Sequence, residues 1–285
     1  MNYSYIKNNH EFASFLNKLE DKKLSTLALD TEAELNLHAY GETLCLIQTF
    51  DGEDQVLIDP LKIENSLLKS LFENRSILKI IYDATSDLSL MKNAYDIEIK
   101  SILDLRPAVA LLSYEKQDLH SVITAELGVI IGNKAKFQKH NWMIRPIAKE
   151  AIDYALNDVI YLLKLKDNLL KKLNDRQLMD KYILSNLKVQ NKDYTRNPEE
   201  KYTHINGYQK LHEHEKLIAL EIGQIIEKYA RLYNIPSHWV INKNSIVDIV
   251  KDPDCLDKIH LPNKFSGDST QSILNELRLA TKRNN

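Results

Sequence analysis

The stretch that most limits the fold is Leu27-Ala28-Leu29-Asp30-Thr31-Glu32, an apolar run that ends in two carboxylates one residue apart. A short apolar run of this kind reads as a buried strand. Side chains alternate along a strand, so Asp30 and Glu32 leave the same face about 7 Å apart. Like charges that close raise each other's pKa, and the pair is costly unless cations neutralise it. The run is therefore half of a metal site, and the rest of the chain has to supply the other ligands.

Along the chain, residues 7–20 have the apolar spacing of an amphipathic helix, with Phe12, Phe15, Leu16 and Leu19 on one side. Strands follow at Leu24–Glu32, Leu44–Phe50 and Gln55–Ile58, with Asp51-Gly52 as a tight-turn signal between the last two. Connections this short imply antiparallel neighbours. Leu44-Cys45-Leu46-Ile47 is apolar on both faces, which places its strand inside the sheet. After Asp59-Pro60 helices and strands alternate: a helix around Leu67–Phe72, strands at Leu78–Tyr82 and Ile99–Leu103, and helices at Leu88–Tyr95, Ala108–Tyr114 and Leu119–Leu127. A polar loop from Gly132 to Pro146 leads into a long helix from about Ala148 to Leu173. The pattern predicts an α/β unit with a mixed sheet flanked by helices. The stretch 186–205 lacks periodicity and reads as a linker, and everything beyond it is helical, which divides the chain into 1–185, 186–205 and 206–285.

Composition narrows the function classes. No apolar run approaches the roughly 18 residues of a membrane span, and Met1–Glu20 has no signal-peptide core, so a cytoplasmic protein away from membranes is expected. Cys45 and Cys255 are the only cysteines, too few for a disulfide framework or a zinc cluster. His212 and His214, two apart on a predicted helix, are expected to point different ways and to be solvated. The net charge of −2 hides an asymmetry, because residues 164–201 hold ten Lys or Arg against six Asp or Glu. A phosphate-binding track and a solvated helix face explain that excess equally well.

Two further places can complete the site. Asp87 falls between a strand end and a helix start, where an acid also suits the helix dipole, with Asp83 as a nearby competitor. Tyr154 and Asp158 lie one helical turn apart and share a face; a packed Tyr and a solvated Asp would have the same spacing. All of these acids are expected on one side of the sheet.

Together the residues resemble the DEDD superfamily of 3′–5′ exonucleases and, within it, the ribonuclease D family. Asp30-Thr31-Glu32 resembles the first exonuclease motif, Lys79 through Leu88 the second, and Tyr154-Ala155-Leu156-Asn157-Asp158 the third, in the tyrosine subclass. Leu46-Ile47-Gln48, Leu57-Ile58-Asp59-Pro60, Trp142 with Arg145-Pro146, and Tyr161-Leu162-Leu163 follow in the family's order. The chain departs from the family at Ala33, where an aromatic is usual, and at Tyr82-Asp83, where His-Ala is common. Residues 206–280, with Ser237-His238-Trp239-Val240-Ile241, resemble one HRDC domain, a helical nucleic-acid-binding module.

The resemblance implies an RNase H-like exonuclease fold followed by a small all-α bundle. It implies two divalent ions, Mg²⁺ or Mn²⁺, held by Asp30, Glu32, Asp87 and Asp158. Asp30 would bridge both ions, Glu32 would bind one, and Tyr154 would orient the attacking water. The expected reaction removes nucleoside 5′-monophosphates from RNA with a free 3′ end, such as a tRNA precursor, and a monomer is expected. Lys134, Lys136, Lys139, His140 and Arg145 are candidates for phosphate contacts, and Tyr40, Phe137 and Trp142 for base stacking. A DNA exonuclease and a catalytically silent RNA-binding scaffold are the alternatives; the intact acids and Tyr154 speak against the scaffold.

Overall fold

Apolar residues of the acid-bearing strand point into two different cores, and the rest of the first unit is arranged to cover both. A computed structural model describes residues 3–132, 134–137, 139–197 and 200–282, without the side chains of Lys134 and Ala135. The chain divides into two units, Met1–Glu34 with Thr43–Thr195, and Leu35–Glu42 with Arg196–Asn285.

In the first unit the described residues form β1 (Ser4–Ile6), β2 (Thr26–Leu35), β3 (Glu42–Phe50), β4 (Gln55–Ile58), β5 (Leu78–Ile81) and β6 (Ile102–Asp104). They make one sheet in the order β1-β4-β3-β2-β5-β6. β3 and β4 are antiparallel, whereas β1 with β4, β2 with β5, and β5 with β6 are parallel. The mixed sheet and the interior position of β3 are as expected. β1 is a strand that three residues are too few to announce by periodicity. β2 also runs on to Leu35, so Asp30 and Glu32 sit within the strand and not at its end.

Leu27 and Leu29 belong to one core with Leu44, Ile47, Leu88 and Met91, whereas Ala28 belongs to another with Ile80, Val159, Leu162 and Leu165. The first core is covered by α1 (Asn9–Asp21), α2 (Asn65–Phe72) and α3 (Thr85–Tyr95). The second is covered by α4 (Arg106–Leu111), α5 (Leu119–Leu127) and, beyond the short α6 (Lys134–Phe137), by the helices of residues 149–191. Full burial of each Leu contributes about 1.5–3 kcal/mol before entropy is counted.

The single long helix expected from Ala148 is two helices, α7 (Lys149–Ile160) and α8 (Leu162–Asp175), joined at Tyr161. Their apolar sides serve different cores: Ala151, Ile152, Ala155 and Leu156 pack with Phe137 and Trp142, while Leu162, Leu165, Leu169 and Leu173 pack under the Ala28 face. α9 (Met179–Asn191) takes the first six residues of the stretch that reads as a linker. Two of its polar residues, Asn186 and Gln190, turn inward to the sheet. Asn186 Oδ1 accepts from Asp104 N at 2.7 Å, and Gln190 accepts from Ile102 N at 3.1 Å and donates to Ile99 O at 3.0 Å. They satisfy the open edge of β6, which would otherwise present unpaired backbone groups.

The second unit is helical, with α10 (Glu200–Thr203), α11 (Glu213–Tyr233), α12 (Ser237–Val240), α13 (Ile246–Lys251) and α14 (Gly267–Lys282) around a core that includes Ile222, Ile226, Leu256, Ile273 and Leu277. α11 stops at Asn234, whose left-handed backbone (φ 47°) is followed by Ile235-Pro236. His212 lies before the helix as its N-cap, and its ring stacks on that of His214 with centroids 6.0 Å apart. The two rings therefore do not diverge as the helical spacing suggests; both residues are exposed.

Candidate active site

On β2, Asp30 and Glu32 continue the parity of Ala28 and leave the sheet on the side where α7 packs. α7 brings Asp158 there, and oxygen atoms of Asp30, Glu32 and Asp158 all lie within 4.8 Å of one another. Residues more than 120 positions apart thus form one cluster. Asp30 and Glu32 are half-buried and Asp158 is 5% exposed.

Asp87 arrives differently. It sits in the first turn of α3, which packs on the Leu27 and Leu29 face, and Oγ1 of Thr31 donates to its Oδ1. The sequence expectation of four acids on one side of the sheet is corrected here: strand parity puts Thr31 on the opposite side from Asp30 and Glu32, and Asp87 is tied to Thr31. It remains close enough for its charge to act on Asp30 and Glu32. The competitor Asp83 is turned away, with φ 63° and an ion pair of 2.9 Å to Arg106.

The electrostatics follow from this crowding. Burial, then the charges of Asp158 and Asp87, push Asp30 well above the ordinary carboxylate range. Glu32 is raised by burial and then by Asp30, Asp158 and Asp87. Burial lifts Asp87 to about 6 against the opposing hydrogen bond from Thr31. Tyr154 is raised far above its usual value by burial and by Asp158, Glu32 and Asp30, so its phenol keeps its proton at neutral pH.

Tyr154 is backed by aromatic rings. Phe137 lies 4.9 Å from it and Trp142 6.3 Å, centroid to centroid, and His140 packs edge-on against Trp142 at 4.9 Å. Phe137 is 5% and Trp142 3% exposed. The base-stacking expectation for these two is corrected: their faces are spent on one another and on Tyr154. Arg145 is corrected likewise. It grips Asp59 through Nε at 2.6 Å and Nη2 at 2.9 Å, and donates further to the carbonyls of Cys45, Trp142 and Ile144. Its donors are all engaged, leaving none for a phosphate.

Lys136 is exposed and pairs with Glu150, Lys139 is exposed, and the side chain of Lys134 lies outside the described residues. Tyr40 belongs to the second unit, where its hydroxyl donates to Glu227 at 2.9 Å and Arg231 lies over its ring.

Two residues had no signal in the sequence. Asp104, buried at the end of β6, accepts from the N–H groups of Asp83 at 2.8 Å and Ala84 at 3.1 Å and so fixes the entry to α3 that carries Asp87. His120, on α5, places Nε2 2.7 Å from Oδ1 of Asp158. Each acts through tertiary contact alone, which spacing along the chain does not reveal.

A family profile described as 3′–5′ exonuclease matches residues 3–174. Ribonuclease D of Desulfotalea psychrophila is 30% identical over 242 residues, covering 82% of this chain and 64% of that one. The chain thus spans less than two thirds of that relative's length. The crystal structure of RNase D from Escherichia coli superposes with a TM-score of 0.75 at 23% identity, over 99% of this chain and 76% of the other. Brucella melitensis NrnC with bound Mg²⁺ superposes with a TM-score of 0.54 at 22% identity, over 67% of this chain and 90% of that one. These likenesses establish the fold, a mixed sheet flanked by helices with a helical region after it.

Proposed function

The chain belongs to the 3′–5′ exonuclease family, and on that premise we propose that it is a cytoplasmic, monomeric exoribonuclease of the ribonuclease D type. Its substrate would be RNA with a free 3′ end, tRNA precursors among them, and its product nucleoside 5′-monophosphates. The single observation that carries this reading is the meeting of Asp30, Glu32 and Asp158, with oxygen atoms within 4.8 Å, beside Tyr154.

The residues fit divalent cations. Their donors are hard carboxylate oxygens, which suit Mg²⁺ or Mn²⁺, and three acids this close are stable as anions only beside positive charge. Asp30, Glu32 and Asp158 would hold two such ions, with Asp87 as the fourth ligand. Bound there, the ions would supply activation of water and stabilisation of the leaving 3′-oxygen.

The chain's own residues do the positioning. Tyr154 retains its proton, which is shared with the Asp158 carboxylate, so it serves to orient the attacking water and not as a base. Phe137 and Trp142 hold its ring in place from behind. The helical unit, which resembles an HRDC domain, is proposed to bind nucleic acid beyond the terminal nucleotide; no helix among the described residues is long and apolar enough to cross a membrane.

The test is incubation of the protein with 3′-extended RNA and matched DNA in Mg²⁺, Mn²⁺ or EDTA. Metal-dependent release of mononucleotides, faster on RNA, is expected. Faster release from DNA would replace the RNA assignment, and no release from either would remove the enzyme reading.

A further inference from the structure

We propose that His120 is a positioning residue of the carboxylate cluster, fixing Asp158 and, through it, the capacity of the site for divalent cations. The inference rests on the exonuclease reading above and adds to it a residue that none of the three motifs contains.

His120 lies in the first turn of α5, a helix held rigidly for its length. Asp118 caps it by accepting from Ser121 N at 3.3 Å, Gly128 ends it with φ 68°, and Val122 and Ile123 are fully buried. Thr124 Oγ1 ties the two ends of the segment, donating to His120 O at 2.9 Å or Val129 O at 2.8 Å. The imidazole is 8% exposed, and its ring lies 5.7 Å from that of Tyr154, centroid to centroid, at 60°.

One ring nitrogen is committed and the other is not. Nε2 meets Oδ1 of Asp158 at 2.7 Å, while Nδ1 is buried with no hydrogen-bond partner among the described residues. A histidine retained only as core filling gains nothing from an unpartnered buried nitrogen. A contact to the Asp158 carboxylate explains the residue, with Nε2 as the donor.

The consequence is mechanical. The terminal torsion of an Asp side chain is broad, so a carboxylate on a helix does not by itself choose an orientation. With one oxygen held by His120, rotation of the Asp158 carboxylate is blocked in the orientation in which it faces Asp30 and Glu32. The same ring flanks Tyr154, one turn earlier on α7. Hydrogen bonds to a ligating carboxylate are worth 10–100-fold in metal affinity or activity.

Three substitutions separate this role from packing. His120→Gln keeps an N–H at the reach of Nε2, His120→Leu keeps volume without a donor, and His120→Asn keeps polarity without the reach. Mn²⁺ binding is measured by calorimetry, with kcat and KM on RNA at saturating Mn²⁺ and melting in EDTA alongside. The Leu variant is expected to need about 10–100-fold more Mn²⁺ for half-saturation, with the KM for RNA unchanged, while the Gln variant stays within a few-fold of native. Should the Leu variant fail to fold, the Asn variant replaces it in the comparison. Native Mn²⁺ affinity in the Leu or Asn variant, or equal losses in Gln and Leu, would overturn the role of His120 alone. Native protein that binds no Mn²⁺ would overturn the metal reading, and this inference with it.

Discussion

Asp30 is where sequence and chemistry meet most directly. Removing its charge by Asp30→Asn should lower kcat by orders of magnitude, read as mononucleotide release, while the fold persists. Tyr154→Phe should cost roughly 10²-fold, the scale of a misplaced reactant, with little change in KM. The raised carboxylates also set the pH dependence of stability. In the folded protein without metal, Asp30, Glu32 and Asp87 (about 6) hold protons that the unfolded chain releases near 4. The folded state therefore binds more protons between those values, so this cluster's contribution to stability falls as pH rises through about 4 to 6 and above. In EDTA, Asp30→Asn should gain in melting temperature relative to native as pH goes from 5 to 8. Added Mg²⁺ or Mn²⁺ should raise native melting most at the upper end, because the ligands must be deprotonated.

Elements, once formed, bring the site together by which face they cover. α9 illustrates the cost of reading polar residues as solvated. Asn186→Ala should destabilise the first unit by about 1–3 kcal/mol, because Asp104 N loses its buried acceptor. It should also lower kcat, since Asp104 braces the entry to α3 and hence Asp87. In the helical unit, α11 passes close to Tyr202: a Cβ at Gly223 would lie 2.6 Å from that ring. Gly223→Ala should destabilise this unit by about 1–3 kcal/mol through overpacking, exceeding the gain of up to about 1 kcal/mol in helix propensity. Thermal unfolding followed by circular dichroism checks both.

At the scale of the molecule, the chain crosses between its units at 34/35, 42/43 and 195/196. The helical unit thus contains eight residues, from the last of β2 to the first of β3. Tyr40 from that segment and Tyr202 both donate to Glu227, and Lys201 pairs with it at 2.6 Å. Burial pushes Glu227 up, but Lys201 and Tyr202 outweigh it and hold its carboxyl below the usual range. Stability from Glu227 is therefore present above its unfolded value of about 4.5 and lost as pH falls through its lower folded value. Tyr40→Ala should destabilise the helical unit by about 1–3 kcal/mol, although the residue lies 156 positions before Arg196. An unchanged unfolding transition for that unit would show the segment to be dispensable.

What the sequence alone determined is local and periodic. The apolar run into Asp30 and Glu32, the helix at Leu119, the interior strand at Leu44 and the one-turn spacing of Tyr154 and Asp158 are all set by alternation or helical period, which neighbouring residues dictate. The tertiary structure decided the rest. Strand parity, combined with which helix covers which face, gathered Asp30, Glu32 and Asp158 and left Asp87 on Thr31. The helix expected as one is broken at Tyr161, with Ala151, Ile152, Ala155 and Leu156 of α7 turned to Phe137 and Trp142 and Val159 joining α8 under Ala28. Asn186, which reads as linker, and Arg145 and Tyr40, which read as substrate contacts, found partners far along the chain in Asp104, Asp59 and Glu227. His120 acquired its place only through tertiary packing, with α5 seated on α8 and the imidazole reaching Asp158 on α7, which no spacing within either helix encodes.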